Sequence, residues 1–527
     1  MAKASKTVKQ QRNQPVLEKD EKQTRSRTPT FICEIPLRVT SAQEHTLLVR
    51  LEAARQAYNA CLGEAKRRVG LIRQSKRFQR AHALPKDDPT RTTRFSEARA
   101  AYQFNEYALH AYAGKLRHSW LGQHLDSLTV QKLASRAYKA ANKLLLGQAR
   151  RIRFKGRNQM DSVEGKNNTS GIRWCGDHVE WSGLILPGII DARDEVLSHG
   201  LASRVKYVRL VRRKLGEQTR FYAQLICEGV PYRKKQHGLG EGVVGLDLGP
   251  QTLAIVSEHY ASLQMFCPDV APNAKRLRQM DRKLDRQRRA NNPTNYDERG
   301  RVKKGAKQWK VSNRQQRTQS LRREYYRRLA ATRKRCHGQV AHQVLALGNQ
   351  IHLEKLSYRA WQKNFGKSVG LRAPSIFVTR LSCLAESADG TIVQINTKRA
   401  KLSQTCHCGA VKLKRLSQRH HRCSCGVNAQ RDLYSAFLAR FVHPDSSLLD
   451  AGQAASAWPG SEPVLQAAFE QVITNQPASG RTRPSSFGVR LRQSQSGSSA
   501  TGLQANAKSQ DAVALPKRRA RAWKRRR

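Results

Sequence analysis

What this sequence lacks narrows its function before any motif is read. Acidic residues are scarce, with 39 Asp and Glu against 98 Lys and Arg, for a formal charge of +59 over 527 residues. Such an excess repels itself unless a polyanion neutralises it, and phosphate backbones do so with release of counterions. Long apolar runs are missing too. Nothing approaches the roughly 18–20 consecutive apolar residues that span a bilayer. The opening MAKASKTVKQQRNQPVLEKDEKQ has no apolar core of a secretory leader. The expected setting is therefore cytoplasmic, nucleoid-associated and reducing, with nucleic acid as partner and no membrane. A ribosomal or RNA-packaging protein would share the charge but rarely this length. No internal repeat is present.

The chain is long enough for several domains. Residues 1–28 are polar, basic and aperiodic, and read as a disordered arm. TFICEIPLRVT then reads as a strand, and Ser41 with Glu44 offers a capping box for a long helix. On that helix Leu47, Leu51, Ala54, Tyr58 and Leu62 recur at helical spacing. Helical patterns with basic outer faces continue to about residue 155, whereas VKYVRLVRR and TRFYAQLICEGV alternate as strands do. PYRKKQHGLGEG is a linker, after which GVVGLDLGPQTLAIVS predicts two short strands around a tight turn. Residues 273–340 predict a strongly basic helical hairpin. QIHLEKL and GTIVQINTK predict strands, and AQRDLYSAFLARFV a helix. From His443 the composition turns to Ser, Gln, Gly and Ala and closes on KRRARAWKRRR, so 443–527 reads as a disordered basic tail.

Three carboxylates fall at informative places. Asp247 lies where an apolar strand meets a Gly-Pro turn, Glu354 ends the strand QIHLE, and Asp432 opens a helix with an apolar face. Singly, each has an ordinary explanation: a turn cap, a charged strand end, a favourable helix-dipole contact. Jointly, two strand-end acids and one helical acid can converge on a pair of Mg²⁺ ions, which favour hard oxygen ligands. Such a pair activates water and clamps a scissile phosphate.

Of eleven cysteines, seven stand singly and read as small buried hydrophobes. The other four, Cys406, Cys408, Cys423 and Cys425, form two Cys-x-Cys pairs, each followed by glycine. Four thiolates suit one structural, tetrahedral Zn²⁺. The pairs are one residue tighter than the usual Cys-x-x-Cys, so His407, His420 or His421 remains an alternative ligand. The basic run Lys412-Leu413-Lys414-Arg415 would then stand beside the cleft of the acids.

The ordered series GLDLG, LEKL, cysteine cluster and RDLYSA resembles the split RuvC motifs of the TnpB family and of compact type V CRISPR effectors, over roughly residues 30–442. The resemblance implies an α/β multidomain protein. An RNase H-like (RuvC) nuclease domain would span 239–442, with a basic helical hairpin at 273–340 and a zinc ribbon at 403–426. An N-terminal β-barrel would span 29–238, built from 29–40 and 165–232 with a helical recognition insertion at 41–160. By the same resemblance Asp247, Glu354 and Asp432 are similar to the family's catalytic, Mg²⁺-holding acids. The zinc ribbon would serve target binding and not catalysis. The family commonly shows Asp-Arg-Asp-x-Asn-Ala-Ala, whereas this chain reads Gln430-Arg431-Asp432-Leu433-Tyr434-Ser435-Ala436.

The implied activity is RNA-guided DNA endonuclease, in a family that travels with insertion elements and is often labelled transposase. Its partners would be a guide RNA and duplex DNA with a short flanking motif. Pairing would read the sequence and the protein would read shape, as in RNA-guided recognition generally. Trp309, Tyr325 and Tyr326 interleave with the charges of the hairpin and suit stacking on the guide RNA or its heteroduplex. The alternatives are a cleavage-deficient RNA-guided repressor and a type V effector of the same fold.

Overall fold

A computed structural model describes residues 28–474, apart from 306 and 416, together with 487–488. The expected arm and most of the expected tail, including KRRARAWKRRR, lie outside the described residues.

The chain enters through strand β1 (Thr30–Pro36), whose alternate residues Phe31, Cys33 and Ile35 point into a core. Helix α1 (Ser41–Gln74) follows, then α2 (Lys76–Ala83), α3 (Arg91–Ala101), α4 (Glu106–Leu116) and α5 (Ser127–Leu145). The capping box at the start of α1 is formed by Thr40 and Gln43, one residue earlier than the Ser41–Glu44 pair expected from sequence. Leu47, Leu51, Ala54, Tyr58 and Leu62 are all buried along α1, as their spacing demands.

Short strands β2 (Ser162–Glu164), β3 (Arg173–Trp174), β4 (His178–Trp181) and β5 (Leu184–Pro187) lead to α6 (Glu195–Ala202) and two long strands, β6 (Val205–Leu215) and β7 (Gln218–Glu228). The first and last strands of this region meet: β1 pairs antiparallel with β7, giving a sheet of order β1-β7-β6-β2, while β3, β4 and β5 form a second sheet. One continuous core runs from these strands into α1, α4 and α5.

A second sheet-centred unit begins after residue 242. Its strands are β8 (Val243–Leu248), β9 (Thr252–Val256) and β10 (Ala261–Met265). Helices α7 (Ala274–Asn291) and α8 (Asn313–Leu345) form the basic hairpin, and α7 buries none of its residues. Then come β11 (Gln350–Glu354), α9 (Tyr358–Arg372), α10 (Pro374–Glu386), β12 (Thr391–Ile395) and the short α11 (Thr397–Ala400). A hairpin of β13 (His420–Arg422) and β14 (Asn428–Gln430) runs directly into α12 (Arg431–Ala439), and α13 (Ala451–Thr474) closes the described chain.

The five-stranded sheet has the order β10-β9-β8-β11-β12, with β8, β11 and β12 parallel. Every residue of β9 is buried, as in a sheet covered on both faces. Helices α12 and α13 share a core with one face, and α8 and α10 with the other. The molecule is thus a mixed α/β structure of several sheets. Among the described residues, no helix is long and apolar enough to cross a membrane.

The expected disordered tail over 443–527 is wrong at its start, because 451–474 is helical. Pro459 and Pro463 within it masked an apolar stripe. Ala454, Trp458, Ser461, Leu465 and Ala468 recur at intervals of three and four and are buried.

Candidate active site

Two backbone features bring the acids together. β8 and β11 are parallel neighbours, so Asp247 and Glu354 both lie at the carboxyl ends of adjacent strands. Helix α12 crosses β8 at Gly245, where a Cβ would stand only 1.9 Å from the carbonyl oxygen of Ala436. No other residue type permits that approach, and it carries Asp432 to the strand ends. His352 of β11 fastens the far end of α12, its Nδ1 lying 2.8 Å from the carbonyl oxygen of Ala439.

Asp247, Glu354 and Asp432 consequently line one cavity of about 410 Å³. Leu356, Trp361 and Phe365 form an apolar wall, while Lys414, Arg419 and Arg431 supply positive charge. Burial pushes the Asp247 carboxyl well above its ordinary range, and the charges of Asp432 and Glu354 push it further; Arg431 and Arg419 oppose them. Burial alone raises Glu354 to about 7. Arg431 donates to Asp432 Oδ1 at 3.3 Å from both Nε and Nη2 and to the Gln418 carbonyl at 3.0 Å, so it is held between acid and loop.

Crowded, desolvated carboxylates with incomplete cationic compensation suit divalent cations as partners. The triad is not among the described groups whose ligand atoms all lie within 4.8 Å of one another.

The raised Glu354 pKa has a testable consequence for stability. Between about 4.5 and 7 the unfolded carboxyl loses its proton while the folded one keeps it, so stability falls as pH rises through this window. Glu354→Gln removes that penalty. In the absence of added divalent ions it is expected to raise the thermal midpoint at pH 8, by at most about 3 kcal/mol of stability, and to change nothing near pH 4. Added Mg²⁺ should then stabilise the parent protein more than the variant. A variant less stable than the parent at pH 8 without Mg²⁺ would show that the carboxylate is structurally needed.

The four cysteines form a second site directly upstream of α12. Their Sγ atoms lie within 4.8 Å of one another, with 3.5 Å between Cys406 and Cys425 and between Cys408 and Cys423. A tetrahedron of thiolates around zinc, with Zn–S near 2.3 Å, has edges of about 3.8 Å. The geometry fits that ion closely and leaves the sulfurs too far apart for a disulfide. Burial pushes the Cys406 thiol up to about 12, while the backbone N–H of Cys425 helps bring Cys423 down to about 6.

The neighbouring histidines look elsewhere. His407 Nδ1 meets the Tyr434 hydroxyl, His421 Nδ1 meets the Lys414 ammonium, and the His420 ring faces Phe469. The four cysteines are therefore the group here that could hold a metal ion. The other described group of three candidate ligands, Cys175, His178 and Glu180, is engaged by its neighbours: Arg173 holds Glu180 at 2.6 Å and Asp177 holds His178 at 2.6 Å.

Several residues of the site carried little signal in the sequence. Arg419 and Arg431 were two among many basic residues, and only the β14–α12 junction aims them at the acids. Lys414, from the basic run expected beside the cleft, does line the cavity. The aromatics of the basic hairpin are partly engaged within it. The Arg288 guanidinium lies 3.9 Å from the Trp309 ring centre, and the Tyr325 hydroxyl accepts the Asn273 backbone N–H at 2.6 Å.

Comparison with known proteins adds little to this picture. No family model matches the sequence and no curated protein matches it. Among solved structures, the chain is similar to one titled "Cryo-EM structure of the Cas12f1-sgRNA-target DNA complex". The match has 11% identity and a TM-score of 0.36, covering 78% of this chain and 98% of that one. It is also similar to one titled "Cryo-EM structure of CRISPR-Cas12f Ternary Complex", at 11% identity and a TM-score of 0.24, covering 77% and 82%. The chain paths agree only loosely at these scores, and the functional reading rests on the site.

Proposed function

We propose that this chain is an RNA-guided DNA endonuclease of the TnpB kind, with a RuvC-like nuclease domain and an N-terminal barrel carrying the helical lobe. The observation that carries this reading is the single cavity in which Asp247, Glu354 and Asp432 meet beside Lys414, Arg419 and Arg431. Acids that gather at such cost on a chain of charge +59 suit phosphodiester hydrolysis.

In this reading the three acids hold Mg²⁺, which supplies the activation of water and stabilises the departing oxygen. Arg419 and Arg431 orient the acids and draw the phosphate into the cavity. Trp361 and Phe365 offer faces on which an unstacked base can rest. The cysteines hold one structural zinc. About one zinc per chain is expected by elemental analysis, with Cys423→Ser lowering both zinc content and soluble yield, because thiolate ligation and local folding are coupled. Zinc-free protein of normal yield would remove that assignment.

The helical lobe and the basic hairpin present the surface for a guide RNA, since α7 buries none of its residues. The guided reading is tested by changing the guide segment of the RNA that co-purifies with the protein and mapping cuts on a plasmid library. Cuts should move to the newly matching sites, and mismatches next to the flanking motif should hurt most, because pairing nucleates there. Cuts that stay in place after reprogramming, or that follow salt alone, would point to an unguided nuclease.

A further inference from the structure

Tyr434 stands where the cysteine cluster meets the helix that carries Asp432. Its hydroxyl lies 3.3 Å from Cys406 Sγ, accepts the His407 backbone N–H at 3.0 Å, and lies 3.0 Å from His407 Nδ1. The ring is only 1% exposed and is held against His421, Trp458 and Phe437 at centroid distances of 4.4, 5.2 and 5.9 Å. Packing therefore fixes where the hydroxyl points.

A phenol has one proton to donate and lone pairs to accept with. With zinc in the cluster, Cys406 is a thiolate with no proton of its own, so the phenol is the donor to sulfur. Both His407 contacts then donate to the phenol oxygen, which places the imidazole proton on Nδ1. All three contacts are satisfied at once. In the thiol form Cys406 has its own proton, and the phenol is no longer needed at sulfur.

The same module grips the first turn of α12 at three other points. The Arg431 backbone N–H donates to the Arg419 carbonyl at 2.8 Å, its guanidinium to the Gln418 carbonyl at 3.0 Å, and the Gln430 side chain caps the Leu433 N–H at 2.8 Å.

We propose that Tyr434 is a positioning residue: it donates a hydrogen bond to the Cys406 thiolate and so couples metal occupancy of the cysteine cluster to the placement of Asp432, two residues away on α12. This rests on the zinc and nuclease readings above, and it gives Tyr434, where the family commonly has Asn, a defined task. Outer partners of this kind tune how firmly a site holds its ion.

Tyr434→Phe removes the hydroxyl and keeps the ring. Zinc affinity, read by competition with a chromogenic chelator, should fall about 10- to 100-fold. In protein loaded with Co²⁺, the sulfur-to-metal charge-transfer band should move to lower energy, because the thiolate loses a donor. With zinc in excess, the Mg²⁺ concentration for half-maximal DNA cutting should rise severalfold. Phe441→Leu, which alters packing just beyond the far end of the same helix, should leave the cobalt band in place.

An unshifted band with unchanged zinc affinity overturns the proposal. A shifted band with an unchanged Mg²⁺ requirement overturns the coupling to Asp432. If the Phe variant does not fold, 3-fluorotyrosine at position 434, a more acidic donor, should move the band the opposite way, and no movement overturns the proposal. Failure of the zinc reading is distinguishable, since the protein would then take up neither zinc nor cobalt. Failure of the nuclease reading would show as normal cobalt behaviour in a protein that never cuts.

Discussion

Asp247→Ala is expected to lower DNA cleavage by about 10³-fold or more, while the protein still retains its RNA. Asp247 lies next to the end of β8 in the shared cavity, where burial and the charges of Asp432 and Glu354 push its carboxyl well above its ordinary range. A carboxylate kept in such a place opposes folding, so removing it should also raise the thermal midpoint when no divalent ion is present. Activity and stability moving in opposite directions mark a residue kept for function. RNA affinity should hardly change, because it arises from dispersed basic side chains. The measurements are Mg²⁺-dependent plasmid cutting, a melting curve and recovery of bound RNA. Undiminished cutting would remove Asp247 from the chemistry.

Gly245→Ala should be nearly as damaging, for a different reason. The added methyl would stand 1.9 Å from the Ala436 carbonyl oxygen and 3.2 Å from Cγ of Arg440. Backbone on both sides of that contact leaves no flexible group to move aside, so β8 and α12 must separate. Overpacking of this sort costs about 1–3 kcal/mol and at times more. The larger effect is geometric. Asp432 would move away from Asp247, and a displacement of about 1 Å at a reacting centre can cost about 10²-fold in rate. A lower midpoint and a slower cut are both expected. Cutting at the parental rate would mean that α12 does not position the acid.

Much of the site was legible because its chemistry is carried by local patterns. GLDLG and QIHLE announce strands with an acid at or next to the end, and the paired cysteines announce a candidate metal group while leaving open whether a neighbouring histidine replaces one of them. The strands β8, β9, β11 and β12 and helix α12 were readable from short apolar runs and one amphipathic stretch. What escaped were features set by contact between distant segments. Tyr434 looked like a mere departure from a family pattern, since its partners Cys406 and His407 lie about a turn and a hairpin away. Helix α13 was hidden because Pro459 and Pro463 interrupt it, and its stripe of Trp458 and Leu465 is sparse. The start of α1 slipped by one residue because Thr40 and Ser41 are both competent caps, and only the backbone decides between them.

The crossing of α12 over Gly245 also sets when the site can exist. Asp247 and Asp432 are 185 positions apart in the chain (432 − 247). At about 5–20 residues per second of synthesis, the first acid waits roughly 10–40 seconds for the last. During that interval β8 has neither its parallel neighbour β11 nor the helix that completes the cavity. A chain still on the ribosome, or one cut short anywhere before residue 432, therefore holds a nucleic-acid-binding surface without a finished cavity. In the function proposed here, attachment to RNA can begin early, and cutting must come last.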